Sequence, residues 1–148
     1  MFPRAMRHGP ESAPETHAII AAAIEVQRHL GTGLLESAYG DAFQMELADR
    51  GIPCRREVAI PIFYKGRTLR TTYRADFVCQ DKILVELKAS AGLGPADQAQ
   101  MWHYLTATNS TLGLLLNFGH APLQIRRFVH GHQDAVSLDS VDSAARPT

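Results

Sequence analysis

Cysteine is scarce in this chain: Cys54 and Cys79 stand far apart, with no paired spacing. That excludes a zinc site built on cysteines and gives no sign of a disulfide framework. The seven histidines are scattered, and the close pair His130 and His132 falls in an expected tail. Net charge is also lacking. Fifteen Lys and Arg balance fifteen Asp and Glu, so no global field draws the chain onto a polyanion. The apolar run Ala18 to Ile24 is far too short to span a bilayer. Met1 to Pro10 holds no apolar run of the kind a secretory signal needs. The expected setting is a reduced cytoplasm, away from membranes. Aromatic residues are few, and the single tryptophan, Trp102, reads as core rather than as a platform for stacking bases.

What is present suits one globular domain, since 148 residues are enough for a real core. Residues 1–14, with several prolines, read as a flexible N-terminal tail, and 131–148, poor in large apolar residues, as a C-terminal one. Between them, residues 15–130 form the expected domain. Ile19, Ile20, Ala23, Ile24, Val26 and Leu30 recur at helical steps from Glu15. Gly31-Thr32-Gly33 interrupts, with Thr32 placed to cap a second helix from about Leu34 to Arg50. Gly51 and Pro53 stop it. The period then changes to two. Val58, Ile60, Ile62 and Tyr64 mark a strand, and Pro61 puts it at a sheet edge. Lys65-Gly66-Arg67 turns the chain into a strand from Thr68 to Cys79, and a third runs from Ile83 to Ala89. A helix from Pro95 to about Thr108, a buried strand Leu112–Phe118 and a last strand Leu123–Val129 complete the order. The fold class is α/β in the broad α+β sense: a mixed central sheet flanked by helices.

The stretch from Tyr73 to Ser90 holds three charges where strands should be apolar: Asp76, Glu86 and Lys88. Glu86 and Lys88 share one strand face, their alpha carbons roughly 6.5 Å apart, with Leu87 on the other. Asp76 would bring a second carboxylate against Glu86. At about 4 Å the two would repel by roughly 4 kcal/mol at an effective dielectric of 20. A hard divalent ion, Mg²⁺ or Mn²⁺, removes that cost. An ion-paired strand at a sheet margin would carry the same three residues.

Gly33, Glu36 and Tyr39 lie at three-residue steps, and Gln100 and Tyr104 four apart on the later helix. Glu36 in a first turn also serves the helix dipole, and Gln100 with Tyr104 would also suit a half-buried polar flank. From Arg50 to Arg74 the basic residues include Arg55, Arg56, Arg67, Arg70 and Arg74, against one acid, Glu57. They suit phosphates, or equally a solvated sheet edge.

Gly33-Leu34-Leu35-Glu36-Ser37-Ala38-Tyr39 resembles the signature of the GxxExxY proteins, a family placed in the PD-(D/E)XK nuclease superfamily. Arg74-Ala75-Asp76-Phe77, Glu86-Leu87-Lys88, Gln100 to Leu105 and Gly113 to Gly119 resemble further pieces of that pattern, in order. Ala75 stands where the superfamily name has proline. The resemblance implies a restriction-endonuclease-like core and a nuclease that hydrolyses nucleic acid, DNA first, with Mg²⁺ or Mn²⁺. It implies metal ligation by Asp76, Glu86 and the Leu87 carbonyl, with Glu36 acting directly or through water. Lys88 would serve the attacking water, and Gln100 and Tyr104 would hold the phosphate or Lys88. Arg55, Arg56, Arg67, Arg70, Arg74 and also Arg126 would hold the backbone. Targeting is expected from a protein partner, a homo-oligomer or the substrate's own shape. A non-catalytic binding module on the same scaffold is the rival expectation.

Overall fold

In the computed structural model, which describes residues 14–108 and 110–130, eight elements follow one another. They are α1 (Pro14–Leu30), α2 (Glu36–Asp49), β1 (Cys54–Tyr64), β2 (Arg67–Cys79), β3 (Ile83–Lys88), α3 (Pro95–Thr108), β4 (Leu112–Asn117) and β5 (Gln124–Val129). Apart from Pro14, which opens α1, the expected tails lie outside the described residues. The expected elements are all there. The largest shift is in β1, which begins at Cys54 instead of Val58.

The strands form one sheet in the order β1-β2-β3-β4-β5. Only β3 and β4 run parallel; the other neighbours are antiparallel. A parallel pair needs a crossover, and α3 supplies it. One face of the sheet packs on α1 and α2 through Ile19, Phe43, Phe77, Val85, Leu87 and Leu116. The other packs on α3 through Met101, Tyr104, Leu105, Leu84 and Leu115. β3 is covered on both faces, which is why its apolar run is continuous. Pro61 lies on β1, an edge strand, the place in a sheet where proline is tolerated. Among the described residues no helix is long and apolar enough to cross a membrane.

One local expectation needs correction. Thr32 does not cap α2: Leu35 holds the cap position, with extended backbone and no side-chain cap bond. Tyr39 does the tying instead. Its hydroxyl donates to the Gly31 carbonyl at 2.6 Å and accepts the Leu34 N–H at 3.3 Å, while its ring stacks on Phe118. β1 also begins ahead of the expected alternation, and its faces switch just before it. Glu57 sits at φ +58, the left-handed region that a glutamate rarely adopts, and it switches the faces of both strands. Before it, Cys54 packs in the α1–α2 core and Arg56 lies over Phe77; after it, Val58 and Ile60 pack on the α3 side. β2 switches at the opposite residue, Asp76, where the Cα pairing between the strands is interrupted. The same pairing sets Cys54 directly across from Cys79, both thiols free, a proximity their sequence spacing hides. Burial pushes the Cys79 thiol up to about 12.

The end of β3 is clamped from β4. Asn117 is fully buried, and its amide makes four hydrogen bonds, all that this side chain offers. It accepts from the N–H groups of Ser90 and Gly119 and donates to the Ser90 carbonyl and to Gln124 Oε1, each at 3.0 Å. Phe118 N–H donates to the Lys88 carbonyl at 2.8 Å. Gly119 lies so close to the Ser90 backbone that a Cβ there would overlap it, whereas one at Gly92 would meet open space. Gly119→Ala should therefore cost about 1–3 kcal/mol, and Gly92→Ala far less. Thermal unfolding of the two variants measures the difference.

Candidate metal and catalytic site

The site arises where β2 leaves β3. Their Cα pairing runs only from Cys79↔Ile83 to Phe77↔Val85. One step beyond, two backbone N–H groups would be orphaned, and side chains take them up. Asp76 N–H donates to Glu86 Oε2, and Leu87 N–H donates to Asp76 Oδ2, both at 2.8 Å. Each carboxylate thus uses one oxygen to hold the neighbouring strand. Asp76 Oδ1 and Glu86 Oε1 take no part in these two bonds.

Glu86 and Lys88 project from β3 toward α3, and Leu87 faces the other core. The side chain that meets Lys88 is one the motifs did not single out: Asp97 Oδ1 lies 3.5 Å from Nζ. The other oxygen of Asp97 accepts the Gly94 N–H at 3.0 Å, fixing the start of α3. An acid three positions after Gly94, ahead of a helical pattern, was the available signal.

Glu36 stands exposed in the first turn of α2 and lines a cleft of about 250 Å³. Gly40, Arg56, Glu57, Asp76 and Leu87 also line it. Gly40 lets the Arg56 guanidinium lie against the helix, and a Cβ there would make that flexible side chain shift. Arg56 Nη1 donates to Asp41 at 2.7 Å and to Gln44 at 3.0 Å. Glu57 is a fifth carboxylate at this site, after Asp76, Glu86, Asp97 and Glu36. Its left-handed backbone gave no signal in the sequence.

Burial and mutual repulsion push the acids up. Burial raises Glu86 from 4.5 to about 9, and the Asp76 charge adds to it. Burial raises Asp76, opposed by the Leu87 N–H and helped by Glu57. Burial also raises Glu36, with Lys88 pulling down and Asp76 pushing up. Glu36, Asp76, Glu86 and Lys88 therefore lie within one another's fields. Tyr104 belongs to the same neighbourhood: its hydroxyl is pushed up by burial and then by Glu86 and Asp76, and it donates to the Arg74 carbonyl at 3.4 Å. Gln100 is half-buried on α3, and among the described residues no hydrogen bond joins it to this group. The buried glutamine is Gln98, whose Oε1 has no partner among the described residues.

The five arginines separate into two sets. Arg55 lies 3.6 Å from Asp81, Arg56 is bound to Asp41, and Arg74 donates to the Glu57 carbonyl at 3.1 Å. Arg67 and Arg70 stand exposed near the β1–β2 turn, without an ion pair among the described residues. Arg126, on β5, donates to its neighbour's carbonyl.

Among the described residues no three His, Cys, Asp or Glu side chains form a ready ligand set. Mg²⁺ does not demand one. It is commonly held by one or two carboxylates, keeping waters and taking phosphate oxygens. Asp76 and Glu86, two repelling acids each with an oxygen outside the cross-strand bonds, fit that pattern.

The raised pKa of Glu86 has a consequence of definite sign for stability. The metal-free fold binds this proton more tightly than the unfolded chain, so the contribution to stability is full below about pH 4.5 and is lost as pH climbs toward about 9. In the presence of a chelator, the melting temperature should fall by several degrees across that range. Glu86→Gln should flatten the profile, as scanning calorimetry would show.

Comparison with known proteins agrees with this architecture. The crystal structure of SSO0001 superposes with a TM-score of 0.50 at 17% identity, covering 98% of this chain and 72% of that one, a likeness of fold. A search of curated proteins gives no match. The family model described as the PD-(D/E)XK nuclease superfamily matches residues 13–128, from the start of α1 almost to the end of β5. On the strength of that match, the chain belongs to the PD-(D/E)XK nuclease superfamily.

Proposed function

We propose that this protein is a divalent-cation-dependent nuclease that hydrolyses DNA phosphodiesters, and that within its superfamily it is a GxxExxY protein. The observation that carries the reading is the exchange between Asp76 and Glu86 at the parting of β2 and β3, with Lys88 on the Glu86 face of the same strand. Asp76 and Glu86 would hold Mg²⁺ or Mn²⁺, with the Leu87 carbonyl as a third donor and Glu36 reaching it directly or through water. A bound cation supplies a Lewis acid for the phosphoryl oxygen and lowers the pKa of water.

The chain's own groups do the rest. Lys88 Nζ orients the attacking water and offsets negative charge as it grows on the phosphate. Asp97, already beside Lys88, keeps that ammonium from swinging away. Gln100 and Tyr104 hold the phosphate or the Lys88 side chain from α3. Arg55, Arg56, Arg67, Arg70 and Arg74 bind the nucleic-acid backbone, with Arg126 further off. A strand bound in the cleft would meet Glu36, Arg56 and Asp76, which line it. Phosphate contacts of this kind position the duplex and read little sequence.

A second reading, a non-catalytic binding module, is favoured by one observation: no three-ligand set stands ready among the described residues. Titration calorimetry separates the two. The nuclease reading expects a heat of Mg²⁺ binding that disappears in Glu86→Gln.

The direct test is cleavage of single- and double-stranded DNA, and of RNA, with Mg²⁺ or Mn²⁺. The expected result is DNA cleavage that Asp76→Asn abolishes and that Lys88→Ala slows by about 10²–10⁴-fold. Equal activity in the wild-type and Asp76→Asn proteins would mean a contaminant and would end the claim.

A further inference from the structure

Beyond Asp76, β2 no longer pairs with β3, yet its pairing with β1 continues to the turn, with a register shift between Pro61 and Phe63 where Leu69, Arg70 and Thr71 stand opposite Ile62. The far end of this hairpin therefore leaves the sheet. From Phe63 to Thr72 every residue is exposed, so neither strand has a core beneath it. A two-stranded ribbon in water is marginal by itself, and the usual protection for an exposed ribbon is a polar surface. This one carries large apolar side chains: Phe63 is 58% exposed, Tyr64 56% and Leu69 40%.

Its charge is of one sign. Between Glu57 and Asp76 there is no acid, while Lys65, Arg67, Arg70 and Arg74 are basic. Arg74 is held at the base of the arm by Glu57. Lys65 lies over the Tyr64 ring at 5.5 Å, and neither it, Arg67 nor Arg70 has an ion pair among the described residues. The two-residue turn Lys65-Gly66, both at positive φ, closes the tip tightly, with Tyr64 and Arg67 facing each other across the ribbon.

We infer that the outer β1–β2 hairpin, Phe63 to Thr72, is a DNA-gripping arm that lays its basic and aromatic tip into the major groove of a duplex held at the Asp76–Glu86 site. The inference rests on the nuclease reading and adds the form of its substrate. A two-stranded ribbon fits the B-form major groove, about 12 Å wide. The A-form groove of duplex RNA is too narrow for side chains to enter, so the choice is DNA. Reach agrees with this. Counted along β1 at about 3.3 Å per residue, because β2 carries extra residues at the register shift, Arg70 stands roughly 16 Å and Arg67 roughly 23 Å from the level of Asp76. Both fall within about one 34 Å turn of a duplex whose phosphate sits at the acids. Lys65, Arg67 and Arg70 would take phosphates flanking the groove. Phe63 and Tyr64 would lie against base edges or sugars.

The test is binding, not cleavage: full-length protein, a short DNA duplex and a chelator, titrated at several salt concentrations. The combined Lys65→Gln, Arg67→Gln, Arg70→Gln variant should bind at least about tenfold more weakly, and its salt slope should fall by about 0.9 for each phosphate no longer neutralised. Phe63→Ala with Tyr64→Ala should weaken binding and leave the slope unchanged. A control with the same reduction of charge elsewhere, Arg28→Gln, Arg50→Gln and Lys82→Gln, should bind like the wild type. The inference is overturned if the arm variant binds within twofold of wild type, if the control weakens as much, or if duplex RNA is bound more tightly than DNA. It is also overturned if the Phe63 and Tyr64 substitutions dissolve a dimer without changing DNA binding, for the tip would then serve self-association. Arm-dependent binding without cleavage would sink the nuclease reading and leave the arm standing. Cleavage with unaffected binding would do the reverse.

Discussion

Everything distinctive about this molecule follows from two hydrogen bonds in which a carboxylate replaces a backbone carbonyl. Antiparallel strands that keep pairing satisfy each other's N–H groups, and their side chains stay on the two faces. Here the ladder stops at Phe77↔Val85, and the next N–H groups turn to Glu86 and Asp76. The substitution draws two acids into the seam between strands. It also frees the outer half of β2 to follow β1 away from the sheet. Site and arm are two results of one parting.

The arrangement is costly, and its cost lies where chemistry would use it. Asp76 and Glu86 are both raised by burial, and among the described residues neither has an ion pair. Lys88 is shared with Asp97. Opposite Asp76, Glu57 keeps a left-handed backbone, a conformation that persists only when its surroundings impose it. The rest of the fold supplies that constraint. Two hydrophobic layers grip β3 and β4 from both sides, and Asn117 ties the chain just past Lys88 to β4.

Much of this was legible in the sequence. Element order, the edge position of Pro61 and the double burial of β3 follow from periodicity and composition. The shared face of Glu86 and Lys88 follows from the pleat alone. Other features were not visible. Thr32 was a reasonable cap, but capping depends on backbone angles, and Tyr39 from one turn later satisfied the loop instead. Cys54 and Cys79 become neighbours only through strand register. Asp97 reaches Lys88 because α3 crosses over β3, which no local pattern encodes.

The order and type of the elements were determined by the chain itself, because hydrophobic period and turn chemistry act over a few residues. That Glu57 and Asp97 join the expected pair of Asp76 and Glu86, which arginines are tied and which stand in solvent were decided by the tertiary structure alone. These depend on where one strand abandons its neighbour, a balance among ladder bonds, side-chain bonds and packing drawn from across the whole domain.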